Sequence, residues 1–109
     1  MKKVIFTEKA PAAIGPYSQA IEANGMVFVS GQLPVDPATG EFAPGGVAEQ
    51  TTQSFENIKN ILAEAGLTTA HIVKTTVFLA DMALFADMNA VYAKYFDGDY
   101  PARSAVAVK

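Results

Sequence analysis

The sequence predicts an α+β fold with the element order β-β-β-α-β-α-β, in a single domain over residues 1–109. Asn24-Gly25 lies between two apolar runs and is the strongest two-residue hairpin signal in the chain. Apolar residues recur at three- and four-residue spacing over 47–65, which indicates an amphipathic helix. β-Branched residues over 72–80 indicate a strand before a second helix. We expect a mixed β-sheet with the two helices on one face.

Three short strands are predicted before the first helix, at residues 3–6, 17–22 and 26–30. A loop separates the first two, because two prolines and a glycine within residues 10–16 exclude both a helix and a central strand. A turn and a loop rich in glycine and proline follow the third strand, over residues 36–46.

The helices are predicted from the spacing of their apolar side chains. The stripe of the first comprises Ala48, Thr52, Phe55, Ile58, Leu62 and Ala65, and that of the second comprises Phe85, Met88, Val91, Tyr92, Tyr95 and Phe96. Gly66 supplies a left-handed cap to the first helix. Asp81 is expected to cap the start of the second, which ends near Phe96.

The last strand carries the most prominent candidate residue, Arg103. Pro101 stiffens the entry to this strand, and alternation places Arg103 on one face with Ala105 and Ala107. We expect the valines of the opposite face to point into the core. The guanidinium then lies beside two methyl groups, with room to hold a carboxylate through two parallel hydrogen bonds. An arginine exposed on an edge strand is the ordinary alternative.

Several strands are apolar on consecutive residues, at 4–6, 26–29 and 77–79. This pattern is typical of strands that are buried on both faces. Two helices can cover only one face of the sheet, so we predict that the other face packs against further copies of the chain. The alternative is an exposed apolar sheet face, which would favour aggregation.

The composition excludes several classes of function. The net charge is −3 and no run of Lys or Arg occurs, which argues against a nucleic-acid partner. The absence of cysteine removes disulfides, thiolate metal sites and a cysteine nucleophile. The apolar run near the N-terminus is too short for a signal peptide or a membrane span. We therefore predict a soluble, cytoplasmic protein without a membrane partner.

No familiar catalytic motif is present. His71 is the only histidine and has no paired acid nearby, so it is assigned no role. Metal sites and phosphate-binding loops also lack support. What remains is a set of polar positions in apolar surroundings, each with an ordinary structural explanation when taken alone. The set comprises Tyr17, Ser30, Gly31, Asn89 and Arg103.

Ordered blocks along nearly the whole chain resemble the RidA/YjgF family of reactive-intermediate deaminases. The main blocks are Gly15-Pro-Tyr-Ser-Gln-Ala20, Val29-Ser-Gly-Gln32, Val73-Lys-Thr-Thr-Val-Phe-Leu79, Met88-Asn89 and Tyr100-Pro-Ala-Arg-Ser104. One block would be weak evidence, whereas an ordered series is specific. Arg103 matches the arginine that the deaminase branch of the family keeps.

The resemblance implies a chorismate-mutase-like fold and a homotrimer whose sheets pack inward, with active sites in clefts between subunits. It implies hydrolysis of 2-imino acids to 2-keto acids and ammonia. The imino acids, 2-iminopropanoate and 2-iminobutanoate, derive from enamines such as 2-aminoacrylate. Neither a cofactor nor a metal is implied.

The resemblance also assigns roles to residues of this chain. Arg103 and Tyr17 become the catalytic candidates, with Arg103 holding the substrate carboxylate alongside the backbone N–H of Ala105. The family often has cysteine at position 105. Ser30, Gly31 and Asn89, together with Tyr17, would shape the pocket and hydrogen-bond the substrate or a water molecule.

The chain departs from the family pattern at its end. Family members continue beyond the position of Lys109 into a strand with a glutamate that is thought to position water, and no glutamate of this chain matches it. We expect the sequence to be truncated there. Two other functions stay open: a non-catalytic trimer that binds small carboxylates or proteins, and the ribonuclease or translation-inhibitor role of some relatives. The acidic balance counts against the latter.

Overall fold

The computed structural model describes residues 1–109, and its elements follow the predicted order. The strands are β1 (Lys3–Ile5), β2 (Ala20–Ala23), β3 (Met26–Val29), β4 (Lys74–Leu79) and β5 (Ala102–Ala107). The α-helices are α1 (Val47–Glu64) and α2 (Phe85–Ala93). Single 3-10 turns precede β4 and α2. The α+β prediction is confirmed.

The strands form two sheets instead of the single sheet that the sequence predicts. β1, β2 and β3 pair antiparallel, whereas β4 and β5 pair in parallel. β3 and β4 therefore each keep one unpaired edge. A cavity of about 460 Å³ lies between β3 and β4, and one of about 370 Å³ lies between β4 and residues 31–34, which follow β3; Ile58 of α1 and Thr76 of β4 line both. The predicted mixed sheet is interrupted at this groove.

The hairpin between β2 and β3 forms as predicted. Asn24 and Gly25 have φ values of 53° and 74°, the left-handed pair that a type I′ turn requires. β2 is shorter than predicted, because Tyr17 belongs to a turn in which its N–H donates to the carbonyl of Gly15. Gln19, just before β2, is buried, and its amide bonds the backbone of Thr7 and neighbouring loop residues.

Helix α1 crosses both sheets and joins their cores. Ile61 packs with Ile5 and Ala20 of the first sheet, whereas Phe55 packs with Leu79 and Met88 beside the second sheet. The predicted stripe is correct for Phe55 and Leu62 but wrong for Thr52, which is exposed. Asn57 is fully buried instead, because its amide bonds the carbonyls of Leu33 and Val35. Asn57 can occupy this core position because the loop before α1 supplies hydrogen-bond acceptors for its amide.

Helix α2 begins later and ends earlier than predicted. The Asp81 carboxylate accepts the N–H of Ala83, but the turn that it caps is the 3-10 turn before Phe85. The helix ends at Ala93, and Gly98 and Asp99 then take positive φ values before β5 begins. Neither α-helix combines the length and hydropathy that a membrane span needs.

Tyr95 links the two α-helices and carries a pH-dependent contribution to stability. Its ring stacks on Phe55 at 4.4 Å, and its hydroxyl donates to Glu56 Oε2 at 2.8 Å. Burial, and then the neighbouring Glu56 carboxylate, raise the pKa of Tyr95 to about 12. Because the folded pKa lies above the unfolded value of about 10, the unfolded chain loses this proton first. Stability should therefore fall as the pH rises from about 10 to 12.

Replacing Tyr95 with phenylalanine is expected to flatten this alkaline loss of stability. Urea unfolding of the wild type and the variant at intervals between pH 8 and pH 12 measures the effect. A Tyr95→Phe variant whose unfolding free energy follows the same alkaline slope as the wild type would contradict the assignment.

The sheet faces turned away from α1 are apolar and exposed. Val4, Ile21 and Phe28 are aligned across the first sheet, and Phe78 is aligned with Val106 in the second. Phe28 is 58% exposed, Phe78 66% and Val106 43%. This result corrects the prediction for the last strand, because its valines lie on the outer face and not in the core. We call this outer apolar surface the sheet face.

Candidate functional site

Arg103 lies on the face of β5 that points toward α2, opposite to the sheet face. Parallel pairing with β4 places it beside Thr75, and it places Ala105 beside Val77. Arg103 and Ala105 are half-buried, whereas Ser104 between them is exposed. Arg103 and Ala105 therefore share one face of β5, as predicted from strand alternation. That face points toward the helices, whereas the prediction placed the valines there.

Three side chains of α2 hold the guanidinium. Its Nη1 donates to Asn89 Oδ1 at 2.7 Å, and its Cζ lies 4.6 Å from the ring centre of Tyr92 and 5.2 Å from that of Phe85. Positions 85, 89 and 92 are spaced by four and three residues, so they form one stripe over two turns of helix. On this stripe the Asn89 amide lies between the aromatic rings of Phe85 and Tyr92.

The charge of Arg103 is not neutralised within the chain. The only ion pair joins Lys59 to Glu56, and the partners of Arg103 are a neutral amide and two rings. A guanidinium has five N–H donors, and one of them is used by Asn89. The remaining donors and the uncompensated charge suit a small anion, and a carboxylate matches the planar fork.

The other predicted site residues lie apart from Arg103 within one chain. Ser30 follows β3 and donates from its Oγ to the carbonyl of Ser18 at 2.6 Å, and Gly31 lines both cavities of the groove. Tyr17 lies in the loop before β2 and is 52% exposed. No hydrogen bond or ring contact joins any of these three to Arg103. The structure thus brings Arg103, Asn89 and Ala105 together, whereas Tyr17 and Ser30 have no hydrogen bond with them and Gly31 shares the smaller cavity with Thr75 and Tyr92.

Sequence reasoning misses two neighbours of Arg103. It gives neither Tyr92, which belongs to the apolar stripe of the second helix, nor Thr75 a role in the site. In the structure the hydroxyls of Thr75 and Tyr92 lie 2.7 Å apart, next to the guanidinium. The helical spacing of residues 85, 89 and 92 is a signal that could have found the aromatic pair.

The remaining titratable residues form no second site. His71 is exposed, and its Nδ1 accepts the N–H of Thr68 in a 3-10 turn. No three side chains of His, Asp or Glu converge to hold a metal ion. We therefore take Arg103, whose guanidinium has no acidic partner in the chain, as the centre of the candidate site.

A family model matches most of the chain. Residues 7–109 match the model described as endoribonuclease L-PSP. A RutC family protein of Pyrococcus horikoshii is 56% identical over 99% of this chain and 86% of its own length. A mouse protein named 2-iminobutanoate/2-iminopropanoate deaminase is 49% identical over 99% of this chain and 80% of its own length.

A solved structure supports the same relationship. The crystal structure of Escherichia coli TdcF with bound serine superposes with a TM-score of 0.92, at 49% identity, over 97% of this chain and 85% of the other. A match at this level covers both sheets and both helices.

Proposed function

Because the chain belongs to the RidA/YjgF family, whose family model is described as endoribonuclease L-PSP, we propose that it hydrolyses reactive 2-imino acids to 2-keto acids and ammonia. The substrates in this proposal are 2-iminopropanoate, which is the tautomer of 2-aminoacrylate, and 2-iminobutanoate. The observation that carries the proposal is the Arg103 fork, a charge without an acidic partner that is held by Asn89. The names of relatives at about 50% identity support the reaction class.

Arg103 binds the carboxylate of the substrate in this proposal, and the backbone N–H of Ala105 assists it. The carboxylate then fixes the position of C2, to which the imine nitrogen is bonded. Water adds to C2 of the protonated imine, and one proton moves from this oxygen to the nitrogen. The C–N bond then breaks with its electron pair going to nitrogen, the second proton leaves the oxygen, and the released ammonia takes up that proton, so the products are the 2-keto acid and ammonium. A protonated imine is already electrophilic, so orientation of substrate and water supplies most of the catalysis.

In this proposal the pocket is completed in a trimer, by Tyr17, Ser30 and Gly31 of a second subunit. They do not contact Arg103 within one chain, so a cleft between two subunits is the economical way to join the two groups. The exposed sheet face supports this arrangement, because its apolar rows include side chains such as Phe28 and Phe78 that another copy would bury.

Kinetics with an imine generated in solution tests the proposed reaction. A dehydratase that acts on serine or threonine supplies the enamine, and spontaneous hydrolysis produces a lag before the keto acid accumulates. The protein is expected to shorten this lag in proportion to its concentration. Heat-denatured protein is the control, and a lag equal to that in buffer would contradict the deaminase proposal.

The same preparation distinguishes the ribonuclease alternative. The net charge is −3, and no run of Lys or Arg offers a basic stripe to a polyphosphate. We therefore expect no cleavage of single-stranded RNA under conditions in which the lag is shortened. Cleavage of RNA together with an unchanged lag would favour the alternative.

A further inference from the structure

Arg103 is held by a closed set of contacts among β4, β5 and α2. Thr75 of β4 is the register partner of Arg103, and its Oγ1 lies 2.7 Å from the hydroxyl oxygen of Tyr92. The ring of Tyr92 in turn lies 4.6 Å from the Arg103 Cζ. Tyr92 is only 4% exposed, so its position is fixed by the core as well. The three side chains form a triangle in which each one is next to the other two.

Building on the deaminase function proposed above, we propose that Tyr92 and Thr75 are positioning residues that fix the orientation of the Arg103 guanidinium toward the substrate carboxylate. Asn89 holds the guanidinium at one nitrogen only, which leaves the planar group free to tilt about that contact. The Tyr92 ring limits this tilt, because a cation prefers the face of the ring. The hydroxyl pair with Thr75 fixes the tilt of the ring itself.

The benefit of such an arrangement is pre-organisation. A carboxylate that is held by two parallel hydrogen bonds needs both donors in one plane before it arrives. An arginine that is free to reorient would lose this freedom on binding, and affinity would fall. The hydroxyl pair therefore contributes to substrate binding although neither hydroxyl touches the substrate.

Two single substitutions remove the hydroxyl pair with little change of shape. Tyr92→Phe keeps the ring beside Arg103, and Thr75→Val keeps the β-branched volume in β4. Each is expected to raise the KM for the imine and the Kd for 2-oxobutanoate by about 3- to 10-fold, the range for one hydrogen bond, with kcat changed less than twofold. The double variant is expected to bind 2-oxobutanoate as tightly as the weaker-binding single variant, because both changes remove the same contact.

The mobility of Arg103 gives a readout that does not depend on catalysis. Arg103 is the only arginine of the chain, so its side-chain Nε–H signal in nitrogen-15 NMR is unique. Its order parameter is expected to fall in both single variants. Tyr95→Phe is the matched control, because it removes a hydroxyl that lies two residues after α2 and bonds Glu56, away from Arg103.

The outcomes separate this inference from the proposed function. If Tyr92→Phe and Thr75→Val lower the melting temperature while the Arg103 signal and the Kd for 2-oxobutanoate stay unchanged, the pair is only structural and the inference is overturned. If the wild type binds 2-oxobutanoate through Arg103 but does not hydrolyse the imine, the deaminase proposal fails. The positioning role is then tested only by the Kd for 2-oxobutanoate and by the order parameter of Arg103.

Discussion

Replacing Arg103 with alanine is expected to lower kcat/KM for the imine by about 10²- to 10³-fold. The substitution removes a bidentate, charge-assisted contact, in which each hydrogen bond to a charged group contributes about 1.5–3 kcal/mol. No other planar guanidinium can take its place, since Arg103 is the only arginine of the chain. The shortening of the keto-acid lag in the coupled assay measures this effect.

The Arg103→Lys substitution tests the planar pair of N–H donors separately from the positive charge. Lysine keeps the positive charge but presents no planar pair of donors, so it is expected to recover less than a tenth of the lost activity. Lys94→Ala is the matched control, because it removes an exposed cation just after α2. An Arg103→Ala variant that retains its assembly and more than half of its activity would exclude Arg103 as the anchor. Loss of assembly would instead identify a structural residue.

Local signals in the sequence predict most of the architecture. Asn24-Gly25 determines the hairpin because both positions need positive φ, and Gly66 has the left-handed φ of 76° that its cap requires. Periodicity correctly indicates that Phe55 and Tyr92 belong to the core. The element order could be predicted for this reason: each element depends on residues that are close in the chain.

The side of the sheet that Arg103 faces could not be predicted in the same way. Alternation puts Arg103 and Val106 on opposite faces of β5, but it does not show which of these two side chains points toward the helices. The assumption that valines mark the core fails, because the sheet face is apolar as well. When both faces of a strand are hydrophobic, tertiary packing decides, and here α2 provides Asn89 and Tyr92 for Arg103.

Non-local polar contacts explain the other differences. Asn57 lies in the core because carbonyls that are more than 20 residues away in the chain accept its amide protons. Thr75 lies beside Arg103 because β4 pairs in parallel with β5, although α2 separates the two strands in the sequence. Such partners are invisible to a pattern that compares residues three or four positions apart. Asn89 is a candidate from its polar character within the apolar second helix, and the family resemblance gives it a site role. Its contact with Arg103 gives that assignment a physical basis.

Phe78→Asp is expected to convert the proposed trimer into monomers. Phe78 lies on the sheet face beside Val106, and 66% of its surface is exposed in one chain. A trimer that buries this face would have to bury three carboxylates without partners, which costs several kcal/mol for each ion. The mass in solution, measured by light scattering, should fall from three times the 11.5 kDa of one chain to that of a single chain.

Activity should be lost with assembly if the pocket needs two subunits. Phe78 points away from α2, so its substitution leaves the Arg103 contacts with Asn89 and Tyr92 in place. Ala63→Asp is the matched control, since it adds the same charge at an exposed position of α1, and it should keep both mass and activity. A monomeric wild type would contradict the trimer, and a monomeric Phe78→Asp variant with full activity would show that one chain suffices. Loss of mass and activity together would make the sheet face a requirement for catalysis, as expected if the proposed trimer brings Tyr17 and Ser30 of one copy to the arginine of the next.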